Sequence, residues 1–535
     1  MTKTKYTAIF FLTLIMFPIL TVFSYLFLPS TEIWTHLVDN LLLTYLLNTI
    51  FIVFWVSLFT GLIGVTCAWL VTIYDFPGKD IFKWLLVLPI AIPAYVSAFI
   101  YAGSIEPSGI FFTTMEHFFG MGAGIYNFID MRNIYGVVFI LTACLYPYVY
   151  LLCYSSFSQQ SYCVFEVGRS MGLTNTSCFL KIGLPLARPA IIAGLTFVIM
   201  ETLAEYGTVD YYGVSTFTTG IFRAWFSFGD ENSALHLAAI LLTFVFVVLV
   251  LEKYSRGNSQ YVHTSQMIRK PKQYTLLGLK SVFAFSWCFL IILLSSIIPI
   301  TQLLVWLIET YSYVFDDSYL QLIWNTTWIA ALSAFLIVSV SLYFSYLDRS
   351  LKDIITSFSI KVLSLGYSIP GVVIAIGIMV PIAFLDDLHS TLTNGNPFFY
   401  ISGSFIALIL GYLIRFSTIS LKTNESGLSK IKTNIDYTAR AFGMSKFSII
   451  KKIHVPMMKI TIITSLILVF VDVVKELPAT LIMRPFNFNT LAVNIYELAS
   501  AEQLSYIAPS ALTLIIISLI PVIILIRNTV SNVYK

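Results

Sequence analysis

Two pairs of carboxylates stand out in this apolar sequence. Glu201 and Glu205 are four residues apart, as are Asp472 and Glu476, so each pair shares one face of a helix. A charged side chain in the middle of a membrane span costs about 2.5 to 3.5 kcal/mol on insertion scales, which disfavours a lipid-facing position. If the four carboxylates face a path between the two halves of the sequence, their oxygen atoms would suit a hard cation. Lys475 is expected to pair with Asp472 or with Glu476.

The same carboxylates have a purely structural interpretation. Glu205 and Glu476 could sit at the outer ends of their spans and only brace helices through hydrogen bonds or ion pairs. No sealed metal site is predicted, because the six histidines contain no pair at metal-ligand spacing. The sequence also has no nucleophile, base or metal cluster typical of a membrane-bound catalyst. It contains no G-x-x-x-x-G-K-[ST] loop, so this chain is not expected to bind a nucleotide.

The composition places these side chains in a membrane protein. Of 535 residues, 58% are hydrophobic and only 11% are charged, whereas soluble domains carry about 25% charged residues. Apolar runs of about 20 residues recur along the chain, and each is long enough to cross a bilayer as a helix. These features predict an all-α polytopic membrane protein. The net charge of +4 is too small to indicate a nucleic-acid partner.

The apolar runs predict about twelve transmembrane helices and their orientation. The predicted spans are roughly 9–28, 48–74, 84–105, 135–157, 189–205, 235–252, 281–307, 325–347, 361–385, 400–419, 460–476 and 508–527. With the N-terminus inside, the outward loops hold only Arg132, Arg223 and Arg484, and Lys475 lies in a span. All other Lys and Arg residues are assigned to cytoplasmic segments. This asymmetry predicts a multi-pass protein of the inner (cytoplasmic) membrane with both termini in the cytoplasm.

An internal repeat divides the sequence into two parts. Gly172 and Gly443 are 271 positions apart. The pairs that coincide at this offset without a gap are Arg169 with Arg440, Pro185 with Pro456, Glu205 with Glu476, Phe217 with Phe488 and Thr219 with Thr490. Each part runs through an even number of spans from the same side, which predicts two parallel six-helix repeats. The predicted domains are a first half (1–258), a cytoplasmic linker (259–280) and a second half (281–535).

Between the fourth and fifth spans of each half lies a long polar segment. We call residues 158–191 the first cytoplasmic loop and residues 429–462 the second cytoplasmic loop. Each is predicted to form a short helix, a glycine break, a second short helix and a proline at the start of the next span. The glycine is expected to take a positive φ, and proline is compatible with the first turn of a helix. Each loop is therefore a compact helical knob.

The pattern of these loops resembles the EAA loop of binding-protein-dependent ABC importer permeases, in which a coupling helix docks on the ATPase subunit. The first loop matches at Glu166, Gly168, Arg169, Gly172 and Pro185, and the second at Ala439, Arg440, Gly443 and Pro456. The second loop departs at the glutamate, where Tyr437 stands with Asp436 beside it, so an ionic contact made by that glutamate is in doubt there.

The resemblance implies a type I ABC importer permease fold and two ABC ATPase subunits as partners on the cytoplasmic side. Met171, Leu173, Phe442 and Met444 are expected to enter a cleft on the partner. The chain itself is then a transport subunit without a cofactor and not an enzyme, while ATP and Mg²⁺ are bound by the partner ATPase.

Three further segments resemble the fused double-length permeases of ferric-iron importers. They are residues 88–103, 200–234 and 471–505, and the most specific match is KELPATL followed by Arg484, Pro485 and Phe486. Glu205 and Tyr206 stand where this family usually has Asp and Phe, which keeps a carboxylate. The resemblance implies transport of Fe³⁺ delivered by a periplasmic or surface-tethered binding protein.

Other cargoes and one other transport class remain open from the sequence. Thiamine and phosphonate permeases can also be fused and share the EAA loop. An ion-gradient-driven secondary transporter would also satisfy twelve spans in two parallel halves, but it should not carry a duplicated loop of this kind. Prolines in the third span of each half, Pro89, Pro93 and Pro370, predict either broken helices that line a path or kinks that serve packing.

Overall fold

The computed structural model is almost entirely helical. It describes residues 2–105, 130–159, 170–256, 274–314, 317–351, 354–394 and 399–533, together with residues 109, 116, 117, 120, 167 and 168. Because a bilayer offers no hydrogen-bond partner to the backbone, long apolar runs satisfy their own N–H and C=O groups as helices. The described strands are two-residue segments, β1 (Tyr74–Asp75) and β2 (Tyr274–Thr275), which pair in parallel.

The α-helices are numbered in chain order. Those that begin before residue 260 are α1 (Thr2–Ser24), α2 (Glu32–Asn40), α3 (Leu42–Ile73), α4 (Lys79–Leu85), α5 (Ala94–Ile105), α6 (Ile134–Gln159), α7 (Asn175–Cys178), α8 (Leu184–Ala204), α9 (Gly207–Tyr211), α10 (Phe217–Phe222) and α11 (Glu231–Arg256). Short 3₁₀ segments occupy Tyr25–Phe27 and Leu88–Ala91, and π-helical segments occupy Phe179–Gly183 and Arg223–Ser227.

The remaining helices belong to the second half of the sequence. They are α12 (Leu279–Ile292), α13 (Ile298–Val314), α14 (Asp317–Leu351), α15 (Ile354–Leu363), α16 (Gly371–Leu392), α17 (Phe405–Ser429), α18 (Thr433–Ala441), α19 (Lys446–Ile449), α20 (Val455–Met457), α21 (Lys459–Lys475), α22 (Pro478–Met483), α23 (Leu491–Ser500) and α24 (Ala508–Val533). Between them lie π-helical segments at Leu293–Ile297 and Ile450–His454, and 3₁₀ segments at Gly366–Ser368 and Leu504–Ile507.

The long helices confirm the predicted membrane spans. Within the described residues, 10 helices are long and apolar enough to cross a membrane, and the number rises to 12 if each of two bent helix pairs is one span. One bent pair joins Lys79–Ala91 to Ala94–Ile105 at 93°, and the other joins Phe447–Met457 to Lys459–Lys475 at 84°. The first bend lies at Pro93, as the proline pattern predicts. The protein is therefore an all-α, multi-pass membrane protein with duplicated architecture.

Packing divides the chain into two compact units that are not the two consecutive halves of the sequence. One unit is built mainly from the first half of the sequence and contains residues Val38–Thr219 and Thr243–Glu309. Its core combines helices of the first half with α12, whose Ala284 and Cys288 are buried. The indole N–H of Trp287 in α12 donates to Thr66 of α3 at 3.2 Å. The first helix of the second half thus packs among helices of the first half.

The other unit contains residues Met1–Leu37, Gly220–Leu242 and Thr310–Lys535. We call it the C-terminal unit because it is built mainly from the second half of the sequence. The N-terminal helix α1 belongs to it and packs against α15 and α16. Phe11 of α1 meets Phe344 of α14 edge to face at 5.5 Å between ring centroids. The predicted boundary at 259–280 concerns sequence repeats and stays a prediction, since residues 257–273 lie outside the described part of the chain. In the compact units, however, α1 packs with helices of the second half, and α12 packs with helices of the first half.

Two glycines on α3 allow a matched test of this packing. A Cβ on Gly64 would lie 2.7 Å from Val149 Cβ and 2.9 Å from the Tyr150 backbone nitrogen of α6, whereas a Cβ on Gly61 would meet only Leu195 Cδ2 at 3.4 Å. We expect Gly64→Ala to destabilise the protein by about 1–3 kcal/mol through overpacking. Gly61→Ala should leave stability unchanged or raise it. Thermal unfolding in detergent, followed by tryptophan fluorescence, measures both, and equal unfolding temperatures would contradict the close approach of α3 and α6.

Candidate functional sites: two helical loops and two helix breaks

The second cytoplasmic loop folds as the glycine pattern predicts. Helix α18 ends at Ala441, and Gly443 follows in the left-handed region with φ 76°. The N–H of Met444 donates to the carbonyl of Ala439 at 3.1 Å, and the N–H of Gly443 donates to that of Arg440 at 2.9 Å. These two bonds form a Schellman motif, which satisfies the last carbonyls of the helix and requires a residue that tolerates positive φ.

The first cytoplasmic loop repeats this geometry where it is described. Gly172 has φ 84°, and the N–H of Leu173 donates to the carbonyl of Gly168 at 3.1 Å. This bond corresponds to that between Met444 and Ala439 at the offset of 271 residues. Glu166 and Arg169, both predicted to contact the ATPase, lie outside the described residues, and their roles stay predictions.

After each glycine a second short helix leads into the fifth span. The hydroxyl oxygens of Thr174 and Ser445 accept the N–H of the residue three positions later, each at 3.2 Å. These N-caps satisfy one free donor at the start of α7 and of α19. A five-residue π-helical segment follows in both loops. Pro185 and Pro456 then occupy the first turn of α8 and of α20, which confirms the expected position of the prolines.

The loops present apolar side chains to solvent, but not all of the predicted ones. Met171 is 77% exposed and Phe442 is 83% exposed, although both are large and apolar. Leu173 and Met444 are half-buried instead, and Met444 packs against a small buried cluster in its own unit. Leu173 and Met444 follow the glycine, and the Schellman bond turns them back toward the loop. Tyr437, at the position of the expected glutamate, is also exposed.

Asp436, next to the position of the expected glutamate, forms contacts with two side chains of this chain. Asp436 is buried, and its two carboxylate oxygens pair with Arg349 Nε and with His454 Nε2, each at 2.6 Å. Arg349 lies near the end of α14, and His454 ends the π-helical segment. Sequence reasoning missed this cluster because its three members are separated by long stretches of chain. The sequence feature that could have indicated the cluster is Asp436, an acidic residue beside the position of the expected glutamate.

Glu205 and Glu476 occupy equivalent breaks after the fifth span of each half. Each follows the last residue of its helix, α8 or α21, and each has an extended conformation with φ −68°. The Oε1 atom of Glu205 accepts the N–H of Thr208 at 2.9 Å, and that of Glu476 accepts the N–H of Ala479 at 3.1 Å. Both carboxylates therefore stabilise the first turn of the next short helix, which matches the bracing interpretation.

Glu476 also forms a buried ion pair. Its Oε2 atom lies 3.2 Å from Arg415 Nε of α17, and both side chains are buried. A Cβ on Gly371 would lie 2.6 Å from Glu476 Oε1 and 2.3 Å from Arg415 Nη1, so the pair lies against the start of α16. The residue at the Arg415 position in the first half is Cys144. The sequence did not indicate this pair, because Arg415, on α17, and Glu476, directly after α21, lie far apart in the chain.

The other predicted path residues are less buried. Asp472 Oδ1 lies 3.6 Å from Lys475 Nζ, which selects one of the two expected partners of Lys475. Glu201 is half-buried on α8. Among the described residues, no group of three or more His, Cys, Asp or Glu side chains could hold a metal ion. Whether these side chains line a path stays a prediction.

A polar cavity of about 750 Å³ lies near the end of the KELPATL segment, within the C-terminal unit. Arg484 and Glu497 line it and form an ion pair at 2.8 Å between Nη2 and Oε1. Asn489 joins them by donating to Glu497 Oε2 at 2.9 Å, and Asn325 and Asn494 add amide groups to the wall. The charges in this wall are thus balanced, and its surface is suited to polar, hydrogen-bonding contacts.

Comparison with known proteins extends these observations. The family described as "Binding-protein-dependent transport system inner membrane component" matches this chain twice, over residues 60–254 and 344–532. The chain belongs to this family. Each match contains one cytoplasmic loop and the helix break that follows it, so the internal repeat and the resemblance stated from the two loops are both confirmed. The chain is a transport component and not an enzyme.

Similar proteins include two permeases from Haemophilus influenzae. The Fe(3+)-transport system permease protein FbpB 2 is 26% identical over 96% of this chain and 98% of its own length. The putative ferric transport system permease protein FbpB 1 is 21% identical over 88% of this chain and 75% of its own length. The sulfate transport system permease protein CysT of Salmonella typhimurium is 26% identical, over 30% of this chain and 55% of its own length.

The buried ion pair at the second break predicts a loss of stability when its charge is removed. Glu476→Gln keeps an acceptor for Ala479 but removes the charge that pairs with Arg415, and breaking a buried pair costs about 3–5 kcal/mol. Glu425→Gln, the matched control, breaks the exposed ion pair with Lys422 and should cost less, because a surface pair is worth about 0–1 kcal/mol. Adding Arg415→Gln to Glu476→Gln should recover stability, since no buried charge remains. Thermal unfolding of the four proteins tests this, and a double variant less stable than Glu476→Gln would contradict the pairing.

Proposed function

We propose that this chain is the transmembrane permease subunit of an ATP-driven ABC importer that carries ferric iron across the inner (cytoplasmic) membrane. Iron is delivered by a periplasmic or surface-tethered binding protein. Two ABC ATPase subunits bind the cytoplasmic loops and hold ATP with Mg²⁺, so the chain itself needs no cofactor. The observation that carries the proposal is the full-length similarity to an Fe(3+)-transport permease, which spans both halves together with their loops and breaks.

The two cytoplasmic loops supply the contact with the ATPase subunits. Each is a short helix ended by a glycine of positive φ, with a large exposed apolar side chain beside it: Met171 in the first loop and Phe442 in the second. An apolar side chain on a rigid helix fits the helix-in-groove mode of recognition. Because both loops continue directly into a fifth span, displacement of a loop by its ATPase subunit moves that span.

The glutamates at the two helix breaks contribute little to contact with the cargo. Glu205 and Glu476 already accept backbone N–H groups, and Glu476 is also held by Arg415. Their main role is therefore to hold the helix breaks in shape. Glu201 and Asp472 are half-buried, and their carboxylates are suited to transient contacts with a passing cation. Strong binding of iron is then the task of the delivery protein, and the permease releases its cargo readily.

The other cargoes receive less support than iron. The similarity to a sulfate permease covers 30% of this chain, which fits a shared permease architecture without a shared cargo. Thiamine and phosphonate remain alternatives for the same architecture. A secondary transporter driven by an ion gradient is disfavoured by the duplicated loops, which have no role without an ATPase partner.

Uptake of radiolabelled ferric iron tests the cargo. Cells lacking this gene should lose energy-dependent iron uptake, and the wild-type gene should restore it. Uptake of labelled thiamine, phosphonate and sulfate, measured in the same cells, should stay unchanged. Other iron importers are deleted first so that they do not mask the loss. If iron uptake persists and the uptake of another of these compounds falls, that compound replaces iron as the cargo.

The glycine of each loop tests coupling to the ATPase. No atom lies within 4 Å of a Cβ built on Gly172 or Gly443, so a larger residue meets backbone strain rather than a clash. A β-branched residue at positive φ costs about 1–3 kcal/mol. We expect Gly443→Val to lower ATP hydrolysis stimulated by the binding protein several-fold in the reconstituted complex.

The control for this experiment is Gly443→Asn, because asparagine tolerates the left-handed conformation. It should keep most of the stimulated ATP hydrolysis. The same pair of substitutions at Gly172 reports on the first loop. Stimulation that is unchanged in both Gly172→Val and Gly443→Val would refute a coupling role for the two loops.

A further inference from the structure

The second cytoplasmic loop is tied to two spans by a buried cluster of charged and polar groups. Asp436 accepts from Arg349 Nε and lies 2.6 Å from His454 Nε2. Arg349 also donates through Nη1 to the carbonyl of Leu428, near the end of α17. The ring of His454 lies 5.3 Å from that of Tyr346 on α14. One cluster therefore joins α14, α17, α18 and the π-helical segment Ile450–His454.

The first cytoplasmic loop is held differently. The two halves align at an offset of 277 residues along the second span, where Asn48-Thr49 corresponds to Asn325-Thr326. At this offset Tyr346 corresponds to Trp69. A Cβ on Gly183 would lie 2.8 Å from the Trp69 ring, so the indole fills the space that an imidazole occupies in the second half. The first loop is thus anchored by an aromatic ring packed on a glycine.

All three members of the charged cluster are specific to the second half. Thr72, Phe165 and Gly183 stand at the positions of Arg349, Asp436 and His454, respectively. The hydroxyl of Thr72 donates to Ala68 of its own helix at 2.7 Å. The repeat preserves the glycine, the capping hydroxyl, the π-helical segment and the proline of the loop, yet it changes these three positions together. Because Asp436 contacts both Arg349 and His454, the three residues form one unit.

We propose that Arg349, Asp436 and His454 form a positioning triad that fixes the second cytoplasmic loop to the ends of α14 and α17 and transmits its displacement to those helices. The inference rests on the proposed importer function and adds a specific route of coupling in the second half. A buried carboxylate is stable only when it is paired and hydrogen-bonded, and Asp436 has a partner at each oxygen. The loop therefore cannot shift away from α14 without separating these charges.

Because the triad is buried, it is suited to transmitting displacement of the loop to α14 and α17. Asp436 and His454 are both buried, so the attraction to Arg349 is screened less than that of a surface pair. A surface ion pair is worth about 0–1 kcal/mol and yields easily, whereas removing one partner of a buried pair costs about 3–5 kcal/mol. The triad thus resists separation, while Phe442, directly after α18, is exposed and remains available to the partner.

The experiment uses the complete complex reconstituted in liposomes, with radiolabelled ferric iron and ATP. Iron accumulated per ATP hydrolysed is measured for wild type, Asp436→Asn, Arg349→Gln and the double variant. The matched control is Glu425→Gln, which removes a surface ion pair with Lys422 on α17 and leaves the triad intact. Hydrogen–deuterium exchange of residues 433–454, which needs no cargo, is measured on the same proteins.

We expect Asp436→Asn and Arg349→Gln each to lower the iron transported per ATP several-fold and to speed exchange in residues 433–454. The double variant should be no worse than the poorer single variant, because both changes remove the same interaction. Glu425→Gln should keep the wild-type ratio. If Asp436→Asn does not assemble, Arg349→Lys replaces it, because lysine keeps the charge but not the planar set of donors.

The possible failures are distinct. A wild-type ratio in Asp436→Asn or its replacement overturns the triad and leaves the importer function in place. A wild-type complex that hydrolyses ATP but accumulates no iron overturns the cargo, and the exchange measurement then decides on the triad by itself. Unchanged exchange in residues 433–454 of the variants overturns the triad in that case.

Discussion

A helix that ends inside an apolar protein leaves backbone groups without partners, and the breaks after the fifth span depend on how this need is met. Glu205 and Glu476 meet it in the same way, since each accepts an N–H from the first turn of the next helix. The backbone carbonyls of the same two residues accept the hydroxyls of Thr218 and Thr480. An unsatisfied polar group costs several kcal/mol away from water. A helix break that would be unstable in most apolar surroundings is therefore stable at these two positions.

The two halves share a backbone plan but differ in how they stabilise it. At the break, the second half places Arg415 beside its glutamate, whereas the first half has Cys144. At the loop, the second half uses Asp436 with its charged and polar partners, whereas the first half relies on Trp69 packed against a glycine. The second half therefore has a buried charged pair at each of these two positions. Duplication preserved the geometry, and the interactions that hold it diverged.

Much of this arrangement follows from local patterns in the sequence. The spans follow from apolar runs, and the bend at Pro93 and the turns at Gly172 and Gly443 follow from the restricted or unusual φ values of proline and glycine. These features depend on neighbouring residues alone. The pairing of Arg415 with Glu476 and the cluster around Asp436 depend on residues far apart in the chain. A single sequence does not indicate which helices are neighbours, so neither the pairings nor the exchange of first helices could be predicted.

The position of α1 has a consequence for the synthesis of the protein. The helices α15 and α16 against which it packs are made more than 300 residues after it. During that interval its buried face, which includes Ile15, Ile19 and Val22, has none of these partners and must be covered by lipid or by a chaperone. If the halves were separate polypeptides, this contact would require two chains to meet by diffusion. Covalent fusion makes the encounter intramolecular and raises the effective concentration of the partners, so correct assembly no longer depends on how much of each half the cell produces.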